Sequence, residues 1–347
     1  MKILIIRRDN IGDLVCTTPL FDALRKHFPD ARICALVNSY NQGVLDGHLS
    51  IDGVYAYTKL KHQTAGQSVL EVLFSKLKLY WMLRRERFDY AICAGSGYSA
   101  NAVRLAKAAK PKHIISYVNE GQDYDRAVDT PVTRPTARRW HEVEDVNRLL
   151  TPLGVDEAPG PLSLYVSPRE VQPVARLLGT AGQPVLAVHI SAREASREWP
   201  SVHYVQVIRR MCAQGWRVLL LWAPGATNDP RHPGDDAKAE SIMAATAGLP
   251  VIPFRTTRLE QLMAAFSLSS MAICADGGGL HVAAGVQIPV VGLFEHLAKK
   301  YERWYPWGVP SRVLTSGSDT DWEVRHISPE QVIQACLELS PSPLSAP

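Results

Sequence analysis

No two cysteines in this sequence have the spacing of a metal site or a redox pair. Cys16, Cys34, Cys93, Cys212, Cys274 and Cys336 are scattered, mostly inside apolar runs, and no C-x-x-C occurs. That excludes a zinc-knuckle or disulfide scaffold and reads as reduced core thiols of a cytoplasmic protein. Long apolar runs are also missing. The segment VLEVLFSKLKLYWMLRRERFD is interrupted by Glu71, Lys76 and Lys78, so it cannot supply the ~20 apolar residues of a spanning helix. The opening MKILIIRRDN is too short for a signal-peptide core. Neither charge sign dominates: 38 Lys and Arg against 34 Asp and Glu leave +4, compatible with an anionic ligand or membrane surface but too weak to imply nucleic acid.

What is present is enough chain for two ordinary domains: 347 residues, 46% of them hydrophobic and 21% charged. Short aliphatic runs alternate with helical patterns. KILIIR, ARICALV, GVYAYT, YAICAG and HIISYV fill the first half; PVLAVHI, WRVLLLW, VIPF, MAICA, PVVGLF and RVLTSG fill the second. This rhythm predicts α/β architecture with parallel strands and crossover helices in both halves. The turn-forming stretch VDEAPGPLS, Val155 to Ser163, is the candidate linker. It divides the chain into residues 1–158 and 159–340. Ligands of doubly wound sheets sit beyond the carboxyl ends of the strands, so the loops leaving KILIIR, YAICAG, PVLAVHI and MAICA are where function is expected.

Three of those loops carry candidate chemistry. In CADGGGLHVAAG, Asp276 closes a strand and Gly277, Gly278 and Gly279 turn the backbone into a helix containing His281. A helix N-terminus with unpaired N–H groups suits a diphosphate. The turn lacks the Walker lysine, and Val282 occupies the third-glycine place of a dinucleotide fingerprint. The plainer reading is an N-cap, a tight turn and a satisfied histidine. In HISAREASREWPSVHY, Ser191, Arg193 and Arg197 could contact phosphate oxygens, or be surface residues ahead of a helix starting at Trp199 and Pro200. In RRDNIGDLVCTTP, Gly12 permits a turn and counts among the candidate donor-binding residues, and Asp13 opens a helix, as its cap or as a general base for a sugar hydroxyl.

Taken together, RRDNIGDLVCTTPLFDALRKHFPDARICALV, HEVEDVNRLLTPLG, the REWP segment and DGGGLHVAAGVQIPVVGLF resemble glycosyltransferase family 9, the ADP-heptose:lipopolysaccharide heptosyltransferases, in the family's order from Met1 to about residue 335. The resemblance implies a GT-B fold, two Rossmann-like doubly wound domains facing across a cleft, with the acceptor on the N-terminal domain and the nucleotide-sugar on the C-terminal one. It implies an inverting, metal-independent transferase without a cofactor, moving heptose from ADP-heptose to an anionic lipid-linked saccharide of the lipopolysaccharide inner core. It also implies a cytoplasmic protein in peripheral contact with the inner membrane. Asp13 matches the family's base; Asp276, Gly278 and His281 match its donor motif; Arg197 stands where lysine is usual. Gly277 replaces a Ser or Thr, and Glu295 follows LF in place of glycine. The family's acidic residue on the nucleoside falls at Asp235 or Asp236.

Two competing signals stand beside this. GSGYSA places Gly95, Gly97 and Ala100 after a strand with Glu120 downstream, a loose dinucleotide pattern that would make an NAD-dependent oxidoreductase; a transferase using another nucleotide-sugar is a further alternative. Asp319 and Asp321 have D-x-D spacing but read as a solvated loop. Lys76, Lys78, Arg84, Arg85 and Arg87 share a segment with Val69, Leu73, Leu77 and Tyr80, most simply a crossover helix with its apolar face on the sheet and its cations in water. A lipid-linked anionic acceptor would profit from these cations and from Arg134, Arg138 and Arg139.

Overall fold

A computed structural model describes residues 1–57, 69–119, 121–134, 138–180, 182–226 and 234–340, with the side chains of residues 69–73 left aside. Glu120, part of the fingerprint pattern, and the tail after Ser340 lie outside the described residues. Two compact units emerge, Met1–Tyr165 and Val166–Pro347. Leu162 is buried and the Ser163 N–H donates to Thr18 Oγ1 at 2.9 Å, so the end of the VDEAPGPLS stretch packs on the first unit.

The first unit holds β1 (Lys2–Ile6), β2 (Arg32–Asn38), β3 (Gly53–Tyr57), β4 (Tyr90–Cys93), β5 (His113–Val118) and β6 (Thr130–Thr133). The second holds β7 (Val185–His189), β8 (Arg217–Trp222), β9 (Val251–Arg255), β10 (Met271–Ala275), β11 (Val290–Leu293) and β12 (Ser311–Leu314). Every pairing is parallel. The orders are β3-β2-β1-β4-β5-β6 and β12-β11-β10-β7-β8-β9, the same Rossmann winding twice. Each reverses direction between its first and fourth strands, and the crevice of such a sheet opens there. The loops after β1 and β4, and after β7 and β10, flank those two points, the four expected from the sequence.

Sheets covered by helices on both faces need strands apolar on both faces, hence the near-continuous runs. Ile3 to Ile6 of β1 and Met271 to Cys274 of β10 are fully or almost fully buried. In the second unit Trp199, Tyr204, Ile208 and Met211 pack on Val188, Leu220 and Ile273; in the first, Leu83, Val103 and Ala106 pack on Leu4, Leu36 and Ala91. β6 was not apparent in the sequence: TPVT is a four-residue edge strand with alternate residues exposed, and an edge tolerates Pro131. No disulfide joins any of the six cysteines, and burial pushes the Cys93 and Cys336 thiols up to about 12.

One expected face is corrected. The Val69–Glu86 helix turns Leu79 and Leu83 to the core, whereas Leu77 is 57% exposed. Apolar residues surround this helix, so periodicity alone could not say which of them point inward.

Candidate active site

In the second unit β10 ends at Ala275, buried Asp276 follows, and Gly277 caps the helix Gly278–Gly285. Gly279 allows a close approach: a Cβ there would lie 2.9 Å from His189 Cε1 and 3.0 Å from His189 Nδ1, at the end of the neighbouring β7. The His189 ring also lies 6.2 Å from Phe266. Burial, reinforced by the Lys238 ammonium, pushes its pKa down to about 4, so it is a neutral imidazole against the glycine turn. His281 is buried in the first turns of the helix, edge-on to Trp304 at 5.8 Å.

Arg197 reaches this turn from the loop after β7. That loop is anchored by Trp199, 1% exposed, whose Nε1 donates to Ile327 O at 2.9 Å. The Arg197 Nη1 donates to Asp276 O at 3.3 Å, Nη2 lies 3.4 Å from Asp276 Oδ2, and Nε donates to Glu295 Oε2 at 3.2 Å. Glu194 is 3.4 Å from Nη2. Buried Glu295 also accepts from Ser196 Oγ at 2.7 Å and lies 3.6 Å from Lys300 Nζ. Burial raises the Glu295 carboxyl, but the Ser196 hydrogen bond and the Arg197 and Lys300 charges outweigh it and hold it below the ordinary range. At Asp276 burial wins over the same two cations, and its carboxyl sits above its usual value. Thus the residue that departs from the family's glycine, absent from the sequence-based set, fixes the guanidinium beside the turn.

Ser191 lies in the same loop, its Oγ accepting from Ala223 N at 2.8 Å, while Arg193 is exposed. The two candidate aspartates differ. Asp236 accepts from Trp222 Nε1 at 2.7 Å, Gly225 N at 3.0 Å and Arg255 Nη2 at 3.0 Å. Asp235 bonds Ser191, and burial, only partly offset by that bond and by Lys238, holds its carboxyl above normal. Lys238, itself lowered by burial, donates to Ile190 O at 3.1 Å.

In the first unit Gly12 and Asp13 lie in the short helix Ile11–Val15 after β1. Asp13 Oδ2 accepts from Asn10 N at 3.0 Å, so the capping role is real. Its other oxygen pairs with Arg7 Nη2 at 3.0 Å. Arg7, 2% exposed, also donates to Glu142 Oε1 at 2.7 Å and Ala94 O at 2.5 Å, and its Nε lies 3.2 Å from Asp9 Oδ2. Burial alone would lower this guanidinium's pKa; the Glu142, Asp13 and Asp9 carboxylates more than reverse that. Sequence reasoning missed Arg7 and Glu142, which are separated by 135 positions and leave no local pattern.

The helix Glu142–Asn147 supplies Glu142 and, from the same acidic turn, the partners of two arginines expected at the acceptor. Arg134 pairs with fully buried Asp145 at 2.6 Å. Arg138 pairs with Glu144 at 2.6 Å and stacks 3.6 Å from the centre of the Trp140 ring. Arg139 is exposed beside them. The GSGYSA loop follows β4 rather than β1, and Ser99 caps the next helix by accepting from Ala102 N at 3.3 Å. Asp319 and Asp321 are exposed, at 99% and 62%. Among the described residues no group of three or more His, Cys, Asp or Glu is arranged to hold a metal ion.

Twin Rossmann sheets, with a glycine turn at one reversal point and a cap-held carboxylate at the other, make this a GT-B fold. The profile of glycosyltransferase family 9 (heptosyltransferase) matches residues 76–332, and the chain belongs to that family. It is 25% identical over 301 residues to lipopolysaccharide heptosyltransferase 3 of Escherichia coli, covering 85% of this chain and 83% of that protein. The fold is similar to that of a family 9 glycosyl transferase from Veillonella parvula, at 17% identity and a TM-score of 0.78 over 97% of this chain and 96% of that one. It is similar as well to E. coli ADP-heptose lps heptosyltransferase II, at 18% identity and a TM-score of 0.75 over 98% of both chains. Membership in a transferase family displaces the oxidoreductase alternative raised by Gly95, Gly97 and Ala100.

Proposed function

We propose that the protein transfers heptose, with inversion, from ADP-heptose to an anionic, lipid-linked saccharide of the lipopolysaccharide inner core. In this reading the second unit, residues 159–340 as the sequence divides it, binds the donor, and residues 1–158 bind the acceptor. The N–H groups of Gly277, Gly278 and Gly279 at the helix start receive the diphosphate, and Arg197 offsets the charge that grows on it as the bond to the sugar breaks. Asp276 and Glu295 hold that guanidinium in place, and His281 packs behind the turn. Ser191 and Arg193 extend the donor surface. Asp235, rather than the fully engaged Asp236, takes the ribose hydroxyls.

Asp13 is the proposed general base: it accepts the acceptor hydroxyl's proton as that oxygen attacks the anomeric carbon. Gly12 keeps the backbone beside it clear of a side chain. Arg134, Arg138 and Arg139 meet the acceptor's anionic groups. The protein works in the cytoplasm, in peripheral contact with the inner membrane, where such an acceptor is found.

The observation that carries the reading is the family match, with the family's donor motif lying where a Rossmann sheet binds ligands. A thermal-shift panel of ADP-, UDP- and GDP-linked sugars tests it. Stabilisation by the ADP sugar above the others is expected; a preference for uridine or guanosine would redirect the assignment to another nucleotide-sugar.

A further inference from the structure

The Val69–Glu86 helix already buries Leu79 and Leu83, yet it carries a second apolar stripe. Phe74 is 71% exposed, Leu77 57%, Trp81 57% and Met82 38%. Positions 74, 77 and 81 are spaced to fall on one face of a helix. Lys78 and Arg85 fall on that same face, and Arg85 lies over the Trp81 ring at 4.6 Å. Lys76, Arg84 and Arg87 are exposed as well.

No acidic residue occurs between Glu71 and Glu86. Glu86 is directed to the sheet, where it accepts from Arg32 at 3.0 Å and Tyr55 at 2.8 Å. The outward face is therefore both apolar and cationic, with no acidic residue of its own.

From this we infer that the face formed by Phe74, Leu77, Lys78, Trp81 and Arg85 is a docking surface for an anionic lipid bilayer. An interfacial helix lies in the plane of the membrane with its aromatic and aliphatic side chains below the headgroups and its cations among the phosphates. Large apolar side chains adjoining lysine and arginine match that layered chemistry. The charges interrupt the run too often for spanning, and no described helix is long and apolar enough to cross a membrane. A second copy of the chain fits poorly, because it would bring Lys78 and Arg85 against equally cationic counterparts. The inference deepens the proposed peripheral membrane contact by locating it, and it rests on that reading.

The test uses the full chain with vesicles that contain no saccharide acceptor. Co-sedimentation is measured with phosphatidylcholine alone and with equimolar phosphatidylcholine and phosphatidylglycerol, for the wild type, F74S/L77S/W81S and K78E/R85E. The wild type should bind the anionic vesicles at least tenfold more tightly than the neutral ones. Both variants should lose at least tenfold, at roughly fivefold or more for each cation removed. All three proteins should keep the same circular dichroism and the same ADP affinity. Failure of the wild type to bind, equal binding to both vesicle types, or unaltered binding by either variant would overturn the inference. So would self-association that the apolar triple variant abolishes in the absence of vesicle binding. Turnover with acceptor in detergent separates the two ideas: a wild type that transfers heptose but ignores vesicles loses the docking face alone, whereas one that binds vesicles as described without transferring heptose loses the transferase reading.

Discussion

Gly279→Ala should change sign with the residue at position 189. The added methyl would meet His189 Cε1 at 2.9 Å, against about 3.5–4.0 Å for relaxed carbon contacts, so ring or helix must yield by roughly 0.6–1 Å. On another side the ring faces fully buried Phe266, 6.2 Å away between ring centres. Overpacking of this kind costs about 1–3 kcal/mol, offset by at most ~1 kcal/mol from replacing glycine in a helix. With the full offset a net loss of up to about 2 kcal/mol is expected. In an H189A background the obstacle is gone and the same substitution should stabilise by up to ~1 kcal/mol, a coupling of about 1–3 kcal/mol across the cycle. Urea unfolding of the four proteins measures it. ADP affinity should follow: Gly279→Ala displaces the first-turn N–H groups and weakens ADP about tenfold, and H189A/G279A recovers most of the loss. Equal destabilisation in both backgrounds would refute the close-approach argument.

Arg7→Met takes from Glu142, 1% exposed, the buried guanidinium that donates to it at 2.7 Å, which should cost about 3–5 kcal/mol; R7M/E142Q should regain most of it, and a single-variant loss under ~1 kcal/mol in urea unfolding would contradict the network. The pH dependence of stability carries the mark of His189. Its folded pKa of about 4 lies below the ordinary 6.5, so the unfolded chain takes up a proton there first. The contribution is complete above pH 6.5, fades as pH falls from 6.5 to 4, and amounts to about 3 kcal/mol at most. His189→Gln should remove that slope, and an unchanged profile by chemical denaturation at stepped pH would count against a neutral imidazole there.

The parts of this molecule written in contiguous residues could be read from the sequence. Apolar runs such as MAICA announced fully buried parallel strands, and the glycines after Asp276 announced a tight turn into a helix at a strand's carboxyl end. What depends on distant residues could not be read. Arg7 looks like one of two arginines closing a strand until Glu142 arrives from another element, and Gly279 looks interchangeable with its neighbours until His189 lies against it. Glu295 stood out as a departure, but only the fold shows its carboxylate binding Arg197, Ser196 and Lys300 together. The Val69–Glu86 helix was misread at Leu77 because apolar residues occur on both its faces, and β6 escaped because a short edge strand with proline has no run to detect.

Asp13 is where the chemistry is most exposed to test. Asp13→Asn keeps an oxygen to accept from Asn10 N or Arg7 while removing the basic carboxylate. Release of ADP from ADP-heptose, with a lipopolysaccharide inner-core acceptor, is measured beside equilibrium binding of ADP. The variant should lose turnover by a factor of at least ~100, the usual contribution of a general base, while binding ADP as the wild type does; ADP release at the wild-type rate would remove Asp13 from the reaction.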